Sequence, residues 1–261
     1  MSDKRFDILD IVRGIALLGV LLANMQGHSY FGYLTSAEQA TLPLASLNEP
    51  LRFLSMFILD GKFYSLFSLL FGIGFSLIVS KVGGGHIIIR RLLVLLCFGF
   101  AHALLLWGGD ILLLYALLGF SLPLINRLKD KAILMFAIFL LISPIILDGA
   151  RLITDGAFSP EKNFFDKNEQ LVTKELGSTP LTDTNLAMWM KNGDVSDLLV
   201  YNYTEIYYRW GYLLKSNRLP KVLGLFLIGL LIGRRKILVN LSEHVPELRK
   251  VRNWGFLVGI P

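Results

Sequence analysis

His102 and Asp110 are the two side chains whose types and spacing could do chemistry in this sequence. Both interrupt the apolar stretch Cys97 to Gly119, CFGFAHALLLWGGDILLLYALLG, and the glycine pair Gly108-Gly109 stands between them. Ionisable groups are costly at membrane depth, so those that occur face a bundle interior or a wet cavity and mark a functional path. A tight turn at the glycines, joining two helices, brings imidazole and carboxylate to similar depth. A carboxylate beside an imidazole fixes its tautomer and raises its basicity, as a general base or an acyl-accepting nucleophile requires. The same residues also fit a simpler arrangement, a histidine hydrogen-bonded between packed helices and an aspartate capping a helix N-terminus.

The elements that must position this pair are membrane helices. With 54% hydrophobic residues and only 18% charged, and a mean hydropathy of +0.57, the chain lies outside the ordinary soluble range. The expected fold class is all-α, a polytopic transmembrane helix bundle of about six complete spans plus the start of a seventh. The spans are read as Ile8 to Met25, Lys62 to Ser80, a third reaching Trp107, Asp110 to Asn126, Ala132 to Leu147 with Pro144 kinking its outer end, and Leu219 to Gly233. WGFLVGIP, from Trp254 to Pro261, stops short of the ~20 residues a span needs and reads as a seventh helix cut off. Three parts follow: a five-helix membrane unit at 1–147, an extracytoplasmic or interfacial segment at 148–218, and the start of a truncated C-terminal membrane domain at 219–261.

The net charge of +6 does not point to nucleic acid, because the basic residues cluster between apolar runs. Lys4 with Arg5, Lys81 with Arg90 and Arg91, Arg127 to Lys131, and Arg234 to Lys236 all fall on one side when the spans alternate. The positive-inside rule makes that side cytoplasmic, together with the N-terminus, and leaves 148–218 outside. The aromatic stretch from Tyr201 to Tyr212 then reads as a helix at the membrane interface, either an aromatic belt or a stacking surface.

Further polar candidates are scattered. Asp10 and Arg13, three apart on the first helix, form either an intrahelical ion pair or an anion site reached from the cytoplasm. Asn24 either bridges helices or orients a substrate. Lys62, beside Asp60, is either a snorkelling interface residue or a substrate contact. The turn Gly83-Gly84-Gly85-His86 before Arg90 and Arg91 is either a positive-inside turn or a phosphate cradle. His28, His86 and His244 are isolated, so no metal and no bound cofactor are expected. Cys97, the single cysteine, reads as a buried free thiol.

Three motifs carry a family resemblance: RFDILDIVRGIALLGVLLANM at the start, GKFYSLFSLLFGIGFSL in span two, and RRLLVLLCFGFAHALLLWGGDILLLYALLG across spans three and four. Together with LPKVLGLFLIGLLIGRR they resemble the YeiB-like family of bacterial multi-pass inner-membrane proteins. That family is distantly similar to transmembrane acyltransferases of the heparan-alpha-glucosaminide N-acetyltransferase type. The resemblance implies transfer of an acyl group from cytoplasmic acyl-CoA, as co-substrate, to a small-molecule, glycan or lipid acceptor hydroxyl or amine on the far side. His102, oriented by Asp110, would activate the acceptor or carry the acyl group. Arg13, Arg90 and Arg91 would attract the anionic donor. Asp10, Arg13 and Asn24 match the wider group's pattern; His28 occupies a place loosely comparable to that of its catalytic histidine, whereas His102 in AHALLLWGGD resembles the histidine typical of YeiB-like proteins. The rival reading is a proton-linked carrier of a small metabolite or lipid, with His102 and Asp110 as a relay; a membrane scaffold without chemistry is the third.

Overall fold

The computed structural model describes residues 7–29, 31, 34–82, 85–175, 192–238 and 244–259. Among them the regular structure is all helical: α1 (Asp7–His28), α2 (Ser36–Ala40), α3 (Asn48–Ile58), α4 (Lys62–Val82), α5 (Gly85–Leu105), α6 (Leu112–Gly119), α7 (Leu122–Ile125), α8 (Asp130–Ile153), α9 (Lys162–Glu175), α10 (Val195–Lys215), α11 (Arg218–Arg234) and α12 (Val245–Gly259).

The centre is the parallel pair α4 and α11. Small residues let their backbones touch: a Cβ on Gly72 would strike the main chain of Phe226, and one on Gly229 that of Leu69. Helix α8 runs antiparallel to α11, with Leu141 against Gly224, and α1 antiparallel to α4, with the Phe63 ring against Gly19. Gly74 faces away from this seam; a Cβ there would lie 3.0 Å from the Arg13 guanidinium. Tyr115 ties α6 into the core. Its ring packs on Phe71 at 5.4 Å and Phe226 at 5.0 Å, and its hydroxyl meets Ser68 at 2.7 Å and donates to the Tyr64 carbonyl at 3.0 Å.

These directions give the bundle two ends. One gathers the end of α1, the start of α4, the α5–α6 turn and the start of α11. The other holds Lys81, Asp130 and Arg234, where Arg234 donates to Asp130 at 2.8 Å and to the carbonyls of Leu128 and Asn126.

Among the described residues three helical stretches are long and apolar enough to cross a membrane, Ala45–Lys81, Gly85–Leu105 and Asp130–Ile153. Counting α10 and α11 as one span, despite a 69° bend, makes four, fewer than the six expected. The difference has local causes. The expected span Asp110 to Asn126 is two short helices, broken where Pro123 opens α7 without an amide to donate. Helix α11 has 17 residues, which reach ~25 Å at ~1.5 Å each, short of a ~30 Å hydrocarbon core.

Only 22% of the apolar window of α5 and 17% of that of α8 is buried. Phe98, Phe100, Met135, Phe139 and Ile145 all point outward, which suits helices that could lie in hydrocarbon. Cys97 shares this outward face and is exposed, not buried as expected. Its flank of α5 simply has no helix against it among the described residues.

Helices α9 and α10 fold over the first end. Asn168 donates to the Thr204 carbonyl at 2.8 Å, and Asn202 to that of Leu104 at 3.1 Å. The bend into α11 turns on Asn217, whose φ of 50° is a left-handed conformation that asparagine tolerates. Arg151 from α8 holds it, donating to Asp148 at 2.7 Å, to Asn217 Oδ1 at 3.1 Å and to the carbonyls of Leu214 and Lys215, with Glu161 at 3.4 Å.

Candidate functional site

Helix α5 ends one turn beyond His102, whose carbonyl accepts from both Leu106 and Trp107 main-chain amides at 3.0 and 2.9 Å. Gly108 and Gly109 then reverse the chain. A Cβ on Gly108 would lie 2.5 Å from the Cβ of Glu205, so the turn is pressed against α10. Asp110 follows. Its Oδ2 accepts the Leu113 N–H at 2.6 Å, and its Oδ1 lies 3.1 Å from His102 Nδ1. The two atoms are in ion-pair contact but not aligned as a hydrogen bond, and neither has a hydrogen-bond partner elsewhere. The aspartate therefore does both things its position allows, capping α6 with one oxygen and facing the imidazole with the other. The Asp110 side chain is 3% exposed and that of His102 34%, so the carboxylate is sealed while the imidazole edge reaches a cavity. With Nδ1 turned to Asp110, Nε2 is the nitrogen left for a substrate.

That cavity has a volume of about 530 Å³. Asn24, His102, Asp110 and the Asp60–Gly61 turn line it with polar groups, and Leu17, Val20 and Leu21 of α1 with apolar ones. Arg209, Tyr212 and Arg218 close it from α10 and α11. Arg209 donates through Nε to the Asp110 carbonyl at 3.3 Å. The Arg218 guanidinium lies 4.1 Å over the Tyr64 ring and donates to the Tyr212 hydroxyl at 3.3 Å. No carboxylate lies within ion-pair distance of either arginine among the described residues.

Phe67 lines this cavity and also a second one of about 340 Å³, which runs toward the opposite end between α4 and α5. Arg13 and Arg91 line the second cavity.

The structure thus brings together His102, Asp110 and Asn24 in one cavity, and Arg13 with Arg91 in the other. Asp10 pairs with Arg13 at 3.1 Å on an exposed face. Arg90 is exposed and lines neither cavity, because it precedes Arg91 by one residue and so lies on a different face of the same helix. Lys62 does not line the first cavity; its amine reaches the Met56 carbonyl at 3.4 Å and lies 5.6 Å from the centre of the Phe57 ring. His28 ends α1, and its side chain lies outside the described residues, as do Gly83 and Gly84 of the glycine turn. His86 is exposed.

Sequence reasoning missed Arg209, Arg218 and Tyr64. The signal present was weak: two arginines flanking the aromatic run RWGYLLKSNR, in a segment where charge is ordinary.

No family model matches the chain, and no solved structure matches it. It is 34% identical over 149 residues to the uncharacterized protein YxaH of Bacillus subtilis, covering 54% of this chain and 37% of that protein. It is also 34% identical over 145 residues to an uncharacterized 39.9 kDa protein in the amylase 3′ region of Bacillus acidopullulyticus, covering 54% and 39%. The uncharacterized protein YeiB of Escherichia coli is 31% identical over 173 residues, covering 59% and 41%. The chain is thus homologous to YxaH and YeiB over half its length, and the matches span about two fifths of those relatives.

Proposed function

We propose that this chain belongs to a bacterial cytoplasmic-membrane acyltransferase, with its N-terminus inside and residues 148–218 outside. The acyl group passes from cytoplasmic acyl-CoA to a hydroxyl or amine held in the cavity beside His102. The observation that carries this reading is the 3.1 Å approach of His102 Nδ1 to the sealed Asp110 carboxylate, with the other imidazole edge on a 530 Å³ cavity. Asp110 keeps the proton on Nδ1. Nε2 removes the acceptor proton as the acceptor oxygen or nitrogen bonds to the thioester carbonyl carbon. The C–S bond then breaks, and the CoA thiolate takes the proton from the imidazolium. Arg13 and Arg91, lining the second cavity, suit the donor's phosphates.

The test is to incubate purified protein with labelled acyl-CoA and a panel of acceptors, comparing wild type with His102→Ala. Release of CoA and a labelled acceptor, both lost in the variant, is the expected result. No release from folded protein across a broad panel overturns the proposal. A label on His28 would move the site to the end of α1.

One observation favours a second reading. Phe67 is the shared wall of the two cavities, which fits a carrier whose path closes at that ring while His102 and Asp110 relay a proton. Uptake into proteoliposomes that depends on pH and on His102, without CoA release, would select it.

A further inference from the structure

Arg209 and Arg218 are cationic groups at this cavity that the transfer chemistry leaves unused. Each guanidinium offers five N–H donors in a planar fork. Arg209 spends one on a main-chain carbonyl and Arg218 one on a tyrosine hydroxyl. Arg218 is fixed by the Tyr64 face, and Arg209 sits 5.9 Å from the centre of the Tyr212 ring. Rings hold a guanidinium in place without neutralising it. None of the carboxylates nearby makes an ion pair with either arginine: Asp110 is turned to His102 and Leu113, Glu205, one turn before Arg209 on α10, is half-buried against Gly108, and Asp60 is exposed at the rim. Two preorganised forks without an acid are a receptor for an oxyanion, phosphate above all.

The opposite wall has the contrary character. Leu17 and Leu21 of α1 are 56% and 57% exposed and line the same cavity. They lie one to two helical turns deeper than Asn24, about 5–10 Å at ~1.5 Å per residue. Charge near the bundle end and aliphatic surface running inward from it describe an amphipathic occupant of fixed orientation.

We propose that this cavity binds a lipid with an anionic phosphate headgroup, the phosphate on Arg209 and Arg218 and the acyl chains along Leu17 and Leu21. This names the acceptor class for the function proposed above and rests on that reading only for the chemistry at His102. Binding is read separately from transfer, so the two can fail independently.

The assay uses the whole chain in detergent micelles and phospholipids with brominated acyl chains, which quench tryptophan fluorescence on contact. Trp107 lines the cavity and is the reporter; Trp107→Phe removes the site's share of the quenching. Brominated phosphatidylglycerol is expected to half-saturate at a lower mole fraction than brominated phosphatidylcholine. The double variant Arg209→Gln, Arg218→Gln is expected to raise that mole fraction about tenfold, the loss of charge-assisted hydrogen bonds. Excess glycerol phosphate should not displace the lipid. Equal half-saturation for the two lipids, or for wild type and a double variant of unchanged helicity, overturns the proposal. Displacement by glycerol phosphate or inorganic phosphate at concentrations matching the lipid's also overturns it and assigns a soluble anion instead. Should the double variant lose its helicity, the wild-type preference between the two lipids decides. Lipid binding without acyl transfer would remove the enzyme reading and leave this site standing.

Discussion

Replacing Asp110 separates its two jobs. In Asp110→Ala the Leu113 N–H loses its acceptor, which costs about 1 kcal/mol as for other helix caps. The contact with His102 also goes, at about 1 kcal/mol more. The expected destabilisation is therefore about 2 kcal/mol. Asp110→Asn differs in kind, because its amide oxygen still accepts from Leu113 while its NH₂ faces Nδ1. Stability should fall by less than about 1 kcal/mol. A donor opposite Nδ1, however, moves the imidazole proton to Nε2, and a base with its proton on the working nitrogen cannot take another. Acyl transfer should then fall by on the order of 10³-fold or more, with helicity intact. Reversible unfolding in mixed micelles of wild type, Asp110→Ala, His102→Ala and the double variant measures the contact directly. Its coupling should be about 1 kcal/mol, and additivity within about 0.3–0.5 kcal/mol means the pair does not interact. Equal losses of stability in the Ala and Asn variants would refute the cap.

Two glycines of opposite setting should respond with opposite sign. Gly72→Ala puts a methyl into the Phe226 main chain and should lower stability by about 1–3 kcal/mol, whereas Gly14→Ala, with nothing within 4 Å, should raise it by about 0.5–1 kcal/mol; thermal melts of the two variants decide. Arg151→Met removes the cation beside Glu161, which is 7% exposed, and should cost about 3 kcal/mol. Limited proteolysis should then cut first at the α10–α11 bend, which Arg151 braces; unchanged protection there would show that the bend holds without it.

The His102–Asp110 pair was legible because both residues are anomalies, ionisable groups in an apolar run, and because Gly108-Gly109 can only be a turn at that spacing. Helices long and apolar enough to cross a membrane were legible from composition, but their number was not. Average hydropathy does not register Pro123, which stops a helix after α6, nor that α11 ends before it is long enough. The arginines divide on the same ground. Arg13 and Arg91 stood out against apolar neighbours and share a cavity. Arg90, adjacent in sequence, lies 100° around the helix and lines neither cavity. Arg209 and Arg218 were invisible because charge is common in their segment, and only the 69° bend carries α10 back over the α5–α6 turn.

The arginines at fixed positions in the structure are of two kinds. Arg151 and Arg234 are each met by acids, Arg151 by Asp148 and Glu161 and Arg234 by Asp130, and each ties helix ends together. Their role is complete within the chain. Arg209 and Arg218 make no ion pair: the hydrogen bond of each goes to a neutral oxygen, and both residues line the cavity. A partly buried guanidinium without an acid gives up hydration that a tyrosine face only partly replaces. Helix packing alone would be served as well by leucine or methionine at either position. With the proposed phospholipid in the cavity, its phosphate would offset that cost and its chains would cover the exposed leucines, so lipid binding would raise the stability of this end of the bundle.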